Sequence, residues 1–240
     1  MKRFIKILSL ALAVITMLSL AVTSAAAEEK AGLYEIYKDH TSYTMVASRK
    51  GICRQLPENS LDAIRQAERD GADIIEIDVR ATLDGVLILM ADETVIRTTY
   101  NYGAKTVVAE MTYDEIKPLR LLSGQGGHGA EKTGKTIPTL ESVFTDRLIS
   151  ASSSASAFSE TDNALLMLDF DWEIRDLIVA LVEEHNMQNE VIFYIDGVKP
   201  AVIQQWKKTL NFEPMLMTYF KGNVIFAATA NVKEIGRAHV

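Results

Sequence analysis

Seven charged residues and one alanine carry the chemistry this chain could do. Arg49 and Lys50 follow the apolar stretch "YTMVAS", and Glu76 and Asp78 sit two apart in "DIIEIDVR". Asp92 ends "VLILMAD", and Asp169 and Asp171 close "NALLMLDFD". Side chains alternate along a strand, so Glu76 and Asp78 share one face of an otherwise apolar segment. Burying two carboxylates there without partners is costly, so their place implies a site. Five carboxylates and two cations give a local charge of -3. Such a rim suits a hard cation with oxygen ligands, or a guanidinium making bidentate pairs with Glu76 or Asp78. Both alternatives stay open at this stage.

The other reactive types are poorly placed. Cys53 is the only cysteine, so no internal disulfide can form. A thiol nucleophile needs a histidine, and His40, His128, His185 and His239 lie in no recognisable motif. Arg97, in "RTT", is expected to brace the rim, and Pro57 and Glu58 to start the following helix. Trp172 is expected to pack, and "GQGGHG" lacks the helix start of a phosphate-cradling loop.

These residues need strands that end together. "YTMVAS" (Tyr43–Ser48) reads as a first strand, and "NSLDAIRQAERDGAD" as a helix capped by Asn59 or Ser60 and ended by Gly71. Strands are expected over Asp73–Arg80 and Val86–Asp92, with "LDG" as the turn between them. "MTYDEIKPL" reads as a short helix with a Thr cap, "SGQGGHGAEKTGK" as a loop, and "IPTLESVFTDRLI" as a helix. "SASSSASAFSETD" is low in complexity and reads as a surface loop. Beyond it, "NALLMLDF", "EVIFYID", "PMLMTYF" and "NVIFAAT" are strands, separated by helices in "WEIRDLIVALVEEHN" and "KPAVIQQWKKTLN". Alternating strands and helices imply βαβ units, a parallel sheet and an α/β fold, barrel or open. In such folds functional groups gather at the carboxyl ends of strands, where the charged set lies.

The chain has 240 residues, 48% hydrophobic and 24% charged, with a net charge of -7. That charge argues against a nucleic-acid partner. Lys2, Arg3 and Lys6, then "ILSLALAVITMLSLAV", then small residues at Ala25 and Ala27, form a signal peptide over 1–27 with cleavage before Glu28. Export with no remaining membrane span is expected, and an uncleaved anchor is the alternative. A polar lead-in (28–42) precedes the main domain (43–233).

The segment "RKGICRQLPENSLDAIRQAERDGADIIEIDVRATLDGVLILMADETVIRTT" resembles the signature region of the glycerophosphodiester phosphodiesterase family. The family motifs run HRG, PENT, GAD, E-x-D, T-x-DG, HD and RTT. "IPTLESVF" is similar to its IPTLEE segment, and "LMLDFD" stands in the place of its E-x-K strand. The resemblance implies a TIM (β/α)8-type barrel and a metal-assisted phosphoric diester hydrolase of glycerophosphodiester metabolism. It also implies one divalent cation, calcium or magnesium, on Glu76, Asp78 and Asp169, with Lys50 in place of a phosphate-holding arginine and Arg49 beside it. Asp92 and Asp171 would be auxiliary.

The departures fall on the proton carriers. Arg49 and Ala91 stand where the family has its two histidines, Asp169 replaces a glutamate, and Asp171 replaces a lysine. Arginine stays protonated and alanine carries no proton, while acid–base catalysis is worth roughly 10²–10⁴-fold. The expected function is a phosphodiester- or anion-binding domain with impaired turnover. An active enzyme with rearranged residues and a non-catalytic partner-binding barrel are the alternatives. "EIGRAHV" (Glu234–Val240) reads as an adapter-derived tail. Six or seven parallel-strand candidates against the eight of a closed barrel imply a barrel incomplete at its C-terminal end.

Overall fold

In the computed structural model the described residues are 33–38, 44–153, 164–220 and 223–227. The leader (1–27), most of the lead-in, residues 154–163 of the Ser/Ala-rich stretch and the tail (234–240) lie outside them.

The core is a seven-stranded sheet in the order β1-β2-β6-β7-β8-β9, with β3 hung on β2. β1 (Ala47–Arg49), β2 (Ile74–Ala81), β6 (Leu165–Phe170), β7 (Val191–Asp196) and β8 (Met215–Phe220) run parallel. β9 (Asn223–Ala227) returns antiparallel along β8. The expected run of parallel strands is therefore corrected at two places. β3 (Leu87–Leu89) is also antiparallel, folding back on β2 through the Leu83–Gly85 turn, where Gly85 takes a positive φ. Among the described residues the ladder stays open, ending at β1 and β9. It forms an α/β arc of a TIM-like barrel, partly incomplete.

Alternation decides which face is which. On β2, Ile75, Ile77 and Val79 are at most 1% exposed and pack with Leu166, Leu168, Phe193 and the crossover helices. Each such side chain contributes about 1.5–3 kcal/mol by leaving water. α2 (Leu61–Arg69), α4 (Leu140–Ser153), α5 (Arg175–Glu184) and α6 (Pro200–Lys207) cover that face. Ser60 caps α2 by accepting from the Ala63 amide at 3.2 Å. The opposite face carries Ile74, Glu76, Asp78 and Arg80, rising from an apolar floor to a charged rim.

That floor is closed by α1 (Leu33–Lys38), a helix the sequence pattern did not disclose. Leu33 and Tyr37 pack with Ile74, Leu165, Ile192 and Met215, and the Tyr37 hydroxyl donates to the Leu216 carbonyl at 2.7 Å. Burial pushes the Tyr37 hydroxyl well above the usual phenol range.

The segment between β3 and α4 builds a second apolar cluster under the rim, from Ile88, Met90, Val95, Val108, Met111, Ile116, Leu119, Leu121 and Ile137. α3 (Tyr113–Ile116) carries the Thr112–Glu115 capping box. Part of the expected glycine-rich loop is a strand, since β5 (Lys132–Thr136) pairs antiparallel with β4 (Arg120–Leu122). The Lys and Thr residues of β5 are mostly exposed, so composition hid the pairing. No helix among the described residues is long and apolar enough to cross a membrane.

Candidate cation and anion site

The first turn is held by backbone geometry. Lys50 adopts φ 57°, and its amide donates to the Glu76 carbonyl at 2.7 Å and to Glu76 Oε2 at 2.9 Å. Gly51 follows at φ 68°, where a Cβ would stand 2.6 Å from the Ala63 carbonyl carbon. Only glycine lets α2 approach so closely. Asn59, also left-handed at φ 55°, donates to Asp78 Oδ2 at 2.7 Å and accepts from the Asp78 amide at 3.1 Å. The turn is thus tied to β2 by both strand carboxylates.

The rim sorts the seven charged residues into three groups. Glu76, Asp78 and Asp169 each bring a carboxylate oxygen within 4.8 Å of the others. Register explains it: Asp78 lies beside Asp169 across β2 and β6, with Glu76 one layer below. Glu76 is 6% exposed. Burial, and then the charge of Asp78, pushes its carboxyl up to about 7. Asp169 is raised for the same two reasons. For Glu76 and Asp169, burial and the neighbouring carboxylate outweigh the nearby Arg49, and the all-oxygen donors of the three acids fit a hard divalent cation.

Arg49 does not supply that charge from within. Its Nε lies 3.6 Å from Glu76 Oε1, and its side chain is 76% exposed, so the guanidinium stands at the mouth rather than among the acids. Lys50 Nζ is 3.5 Å from both Glu58 and Asp78 at the inner edge. Arg49, Glu76, Met167, Asp169 and Tyr194 line a cavity of about 410 Å³ that opens on the concave face.

Asp92 and Asp171 reach the rim but leave the cluster. Asp92 arrives because β3 runs back toward the first turn, not as the end of a parallel strand. Arg97 grips it at 2.6 and 2.8 Å, and those bonds hold its carboxyl below the usual range. Asp171 Oδ2 accepts from Arg80 Nη1 at 2.9 Å. Ala91 turns its carbonyl to the same guanidinium, at 3.1 and 2.8 Å.

Two participants were missed in the sequence. Glu58 is not merely a helix-start residue, because it is 4% exposed and accepts from Arg97 Nη1 and Nη2 at 3.0 and 2.7 Å. Arg80 continues the 76–78–80 alternation, which was the available signal. Arg97 braces the rim as expected, bonding also to the Gln125 carbonyl, while its own backbone carbonyl lies too close to Gly126 for a Cβ there. Trp172 packs edge-on against Trp206, with Arg175 over its ring. His128 is exposed and His185 lies edge-on against Phe144, away from the rim, while His40 and His239 lie outside the described residues.

A mostly parallel α/β sheet with its charged side chains gathered at the carboxyl strand ends is the frame of TIM-like barrels. The chain belongs to the glycerophosphoryl diester phosphodiesterase family, whose sequence profile matches residues 50–234. It carries a glycerophosphodiester phosphodiesterase-like domain. It is 41% identical over 101 residues to the glycerophosphodiester phosphodiesterase of Caldanaerobacter subterraneus subsp. tengcongensis, covering 42% of this chain and 39% of that one. It is 36% identical over 151 residues to that of Bacillus altitudinis, covering 62% and 56%. The matches therefore span about half, or less, of these relatives' own length. A glycerophosphoryl diester phosphodiesterase structure from Parabacteroides distasonis shares the fold, with a TM-score of 0.58 and 20% identity over 78% of this chain and 60% of that one. Enzymes of the family typically depend on a divalent cation.

Proposed function

We propose that this domain holds one divalent cation on Glu76, Asp78 and Asp169 and binds a phosphodiester or related small anion over it, with little or no turnover. One observation carries the proposal. The three carboxylates converge within 4.8 Å, while Arg49 and Ala91 occupy the positions that the resemblance gives to proton-transferring histidines.

A bound cation would screen the phosphate and polarise its oxygens. The chain's own residues account for binding. Lys50, with its amide on Glu76 and its ammonium at the inner edge, supplies a fixed positive charge. Arg49 supplies a second at the mouth and is free to swing onto an anion. Among the described residues, the rim side chains outside the cation cluster are poorly suited to move a proton. Arg49 stays protonated, Ala91 has only a methyl group, and Asp92 and Asp171 are engaged by arginines. Glu76 holds a proton readily in the absence of a cation but becomes a ligand once one binds.

Residues 1–27 support export of the mature chain, and N-terminal sequencing of secreted protein is expected to begin at Glu28. The site is tested by calorimetry of the whole chain with calcium and with magnesium, followed by glycerophosphocholine. Saturable heat from an ion, then from the diester, is expected. No heat at millimolar ion would remove the cation from the proposal.

A further inference from the structure

Asp171 stands beside the cation cluster without joining it. It lies two residues beyond Asp169, and with Asp78, Asp169, Arg80 and Ala91 it lines a small polar cavity of about 90 Å³. Its carboxylate is 63% exposed and is held by Arg80 at 2.9 Å. Arg80 cannot easily yield, since its Nε and Nη2 are both spent on the Ala91 carbonyl. Those two hydrogen bonds fix the guanidinium plane, and the third, from Nη1, goes to Asp171. The fork thus closes one side of the cavity and neutralises the carboxylate next to it.

We propose that Arg80 is a positioning residue that withholds Asp171 from the cation cluster, so that the site offers three carboxylates rather than four. This rests on the cation-binding reading above and adds to it a determinant of ion choice. Calcium takes six to eight oxygen ligands in flexible geometry, whereas magnesium keeps several waters in a strict octahedron. A fourth carboxylate freed into the cavity benefits calcium far more than magnesium. A change of local charge alone, without ligation, shifts both ions by the same factor.

The test is titration of the whole chain and its variants with calcium and with magnesium separately. Arg80→Met is expected to tighten calcium about tenfold, as added ligand charge does in oxygen sites, with a clearly smaller change for magnesium. Arg80→Lys retains a partner for Asp171 and is expected to keep the wild-type calcium-to-magnesium ratio. Arg80→Met combined with Asp171→Asn is expected to return calcium to its wild-type affinity. Asp171→Asn alone touches an exposed side chain and does not depend on the fate of the arginine variants. It leaves Arg80 uncompensated, so both ions are expected to weaken equally.

A selective loss of calcium in Asp171→Asn would mean that Asp171 already ligates, and would overturn the proposal. So would equal shifts of both ions, or none, in Arg80→Met. If the wild-type chain binds neither ion, the cation reading itself fails. That result is distinct from a wild type that binds both while Arg80→Met changes nothing.

Discussion

At the scale of single residues, Glu76 has the least favourable place and therefore the clearest signature. Its carboxyl, ordinarily near 4.5, sits at about 7 because burial and Asp78 oppose its charge. A raised value means that folding favours the protonated form. The stabilising contribution is full below the ordinary value and is lost as pH rises through about 7. In chelator, the melting temperature is expected to fall between pH 5 and pH 8. Saturating calcium should flatten that slope, and Glu76→Gln should flatten it without calcium while weakening the ion. A chelated wild type with no slope would contradict the assignment. Arg49 makes a second test, because its exposure separates binding from folding. Arg49→Ala is expected to leave the melting temperature unchanged and to weaken a diester by about three- to tenfold, the range for one or two partly screened charge contacts. Calcium should tighten slightly as the repulsion is removed. Equal diester affinity would show that the arginine takes no part.

At the scale of elements, the first turn, the β2–β3 hairpin and the glycine-rich segment are bound together through Arg97. Its guanidinium spans Glu58, Asp92 and the Gln125 carbonyl. Removing one partner of a buried pair leaves a charge uncompensated, and Arg97→Ala is expected to cost about 3 kcal/mol in urea unfolding. The lower end of that range applies because Lys50 still faces Glu58. A loss under about 1 kcal/mol would mean the bridge is a surface pairing. This bridge also marks where sequence patterns stopped being informative. Alternation disclosed that Glu76 and Asp78 share a face, and the strand-end rule put Asp169 beside them. The same rule placed Asp92 at the rim for the wrong reason, since periodicity does not distinguish a parallel strand from a returning hairpin. Glu58 was hidden because a proline, an acid and a capping residue are what any helix start requires. α1 was hidden because six residues, with Leu33 and Tyr37 as the buried pair, are too few to show a period. β5 was hidden by glycine and by a face turned to solvent.

At the scale of the whole molecule, the arc of parallel strands brings its floor, core and rim into a consistent order. Apolar layers at Ile74, Leu165 and Met215 support a middle layer containing Glu76, and the top layer is charged. The arrangement keeps the family's α/β frame, and in the proposed function Arg49 and Ala91 stand in place of its proton carriers. The proposed function separates binding from turnover in one molecule, and phosphorus NMR reads both at once. The measurement is a time course of glycerophosphocholine with the whole chain and calcium. The expected result is a diester resonance that broadens or shifts with added protein, while no phosphate monoester resonance grows. Growth of the monoester signal at about 1 per second or faster, the pace of ordinary enzymes, would contradict the account.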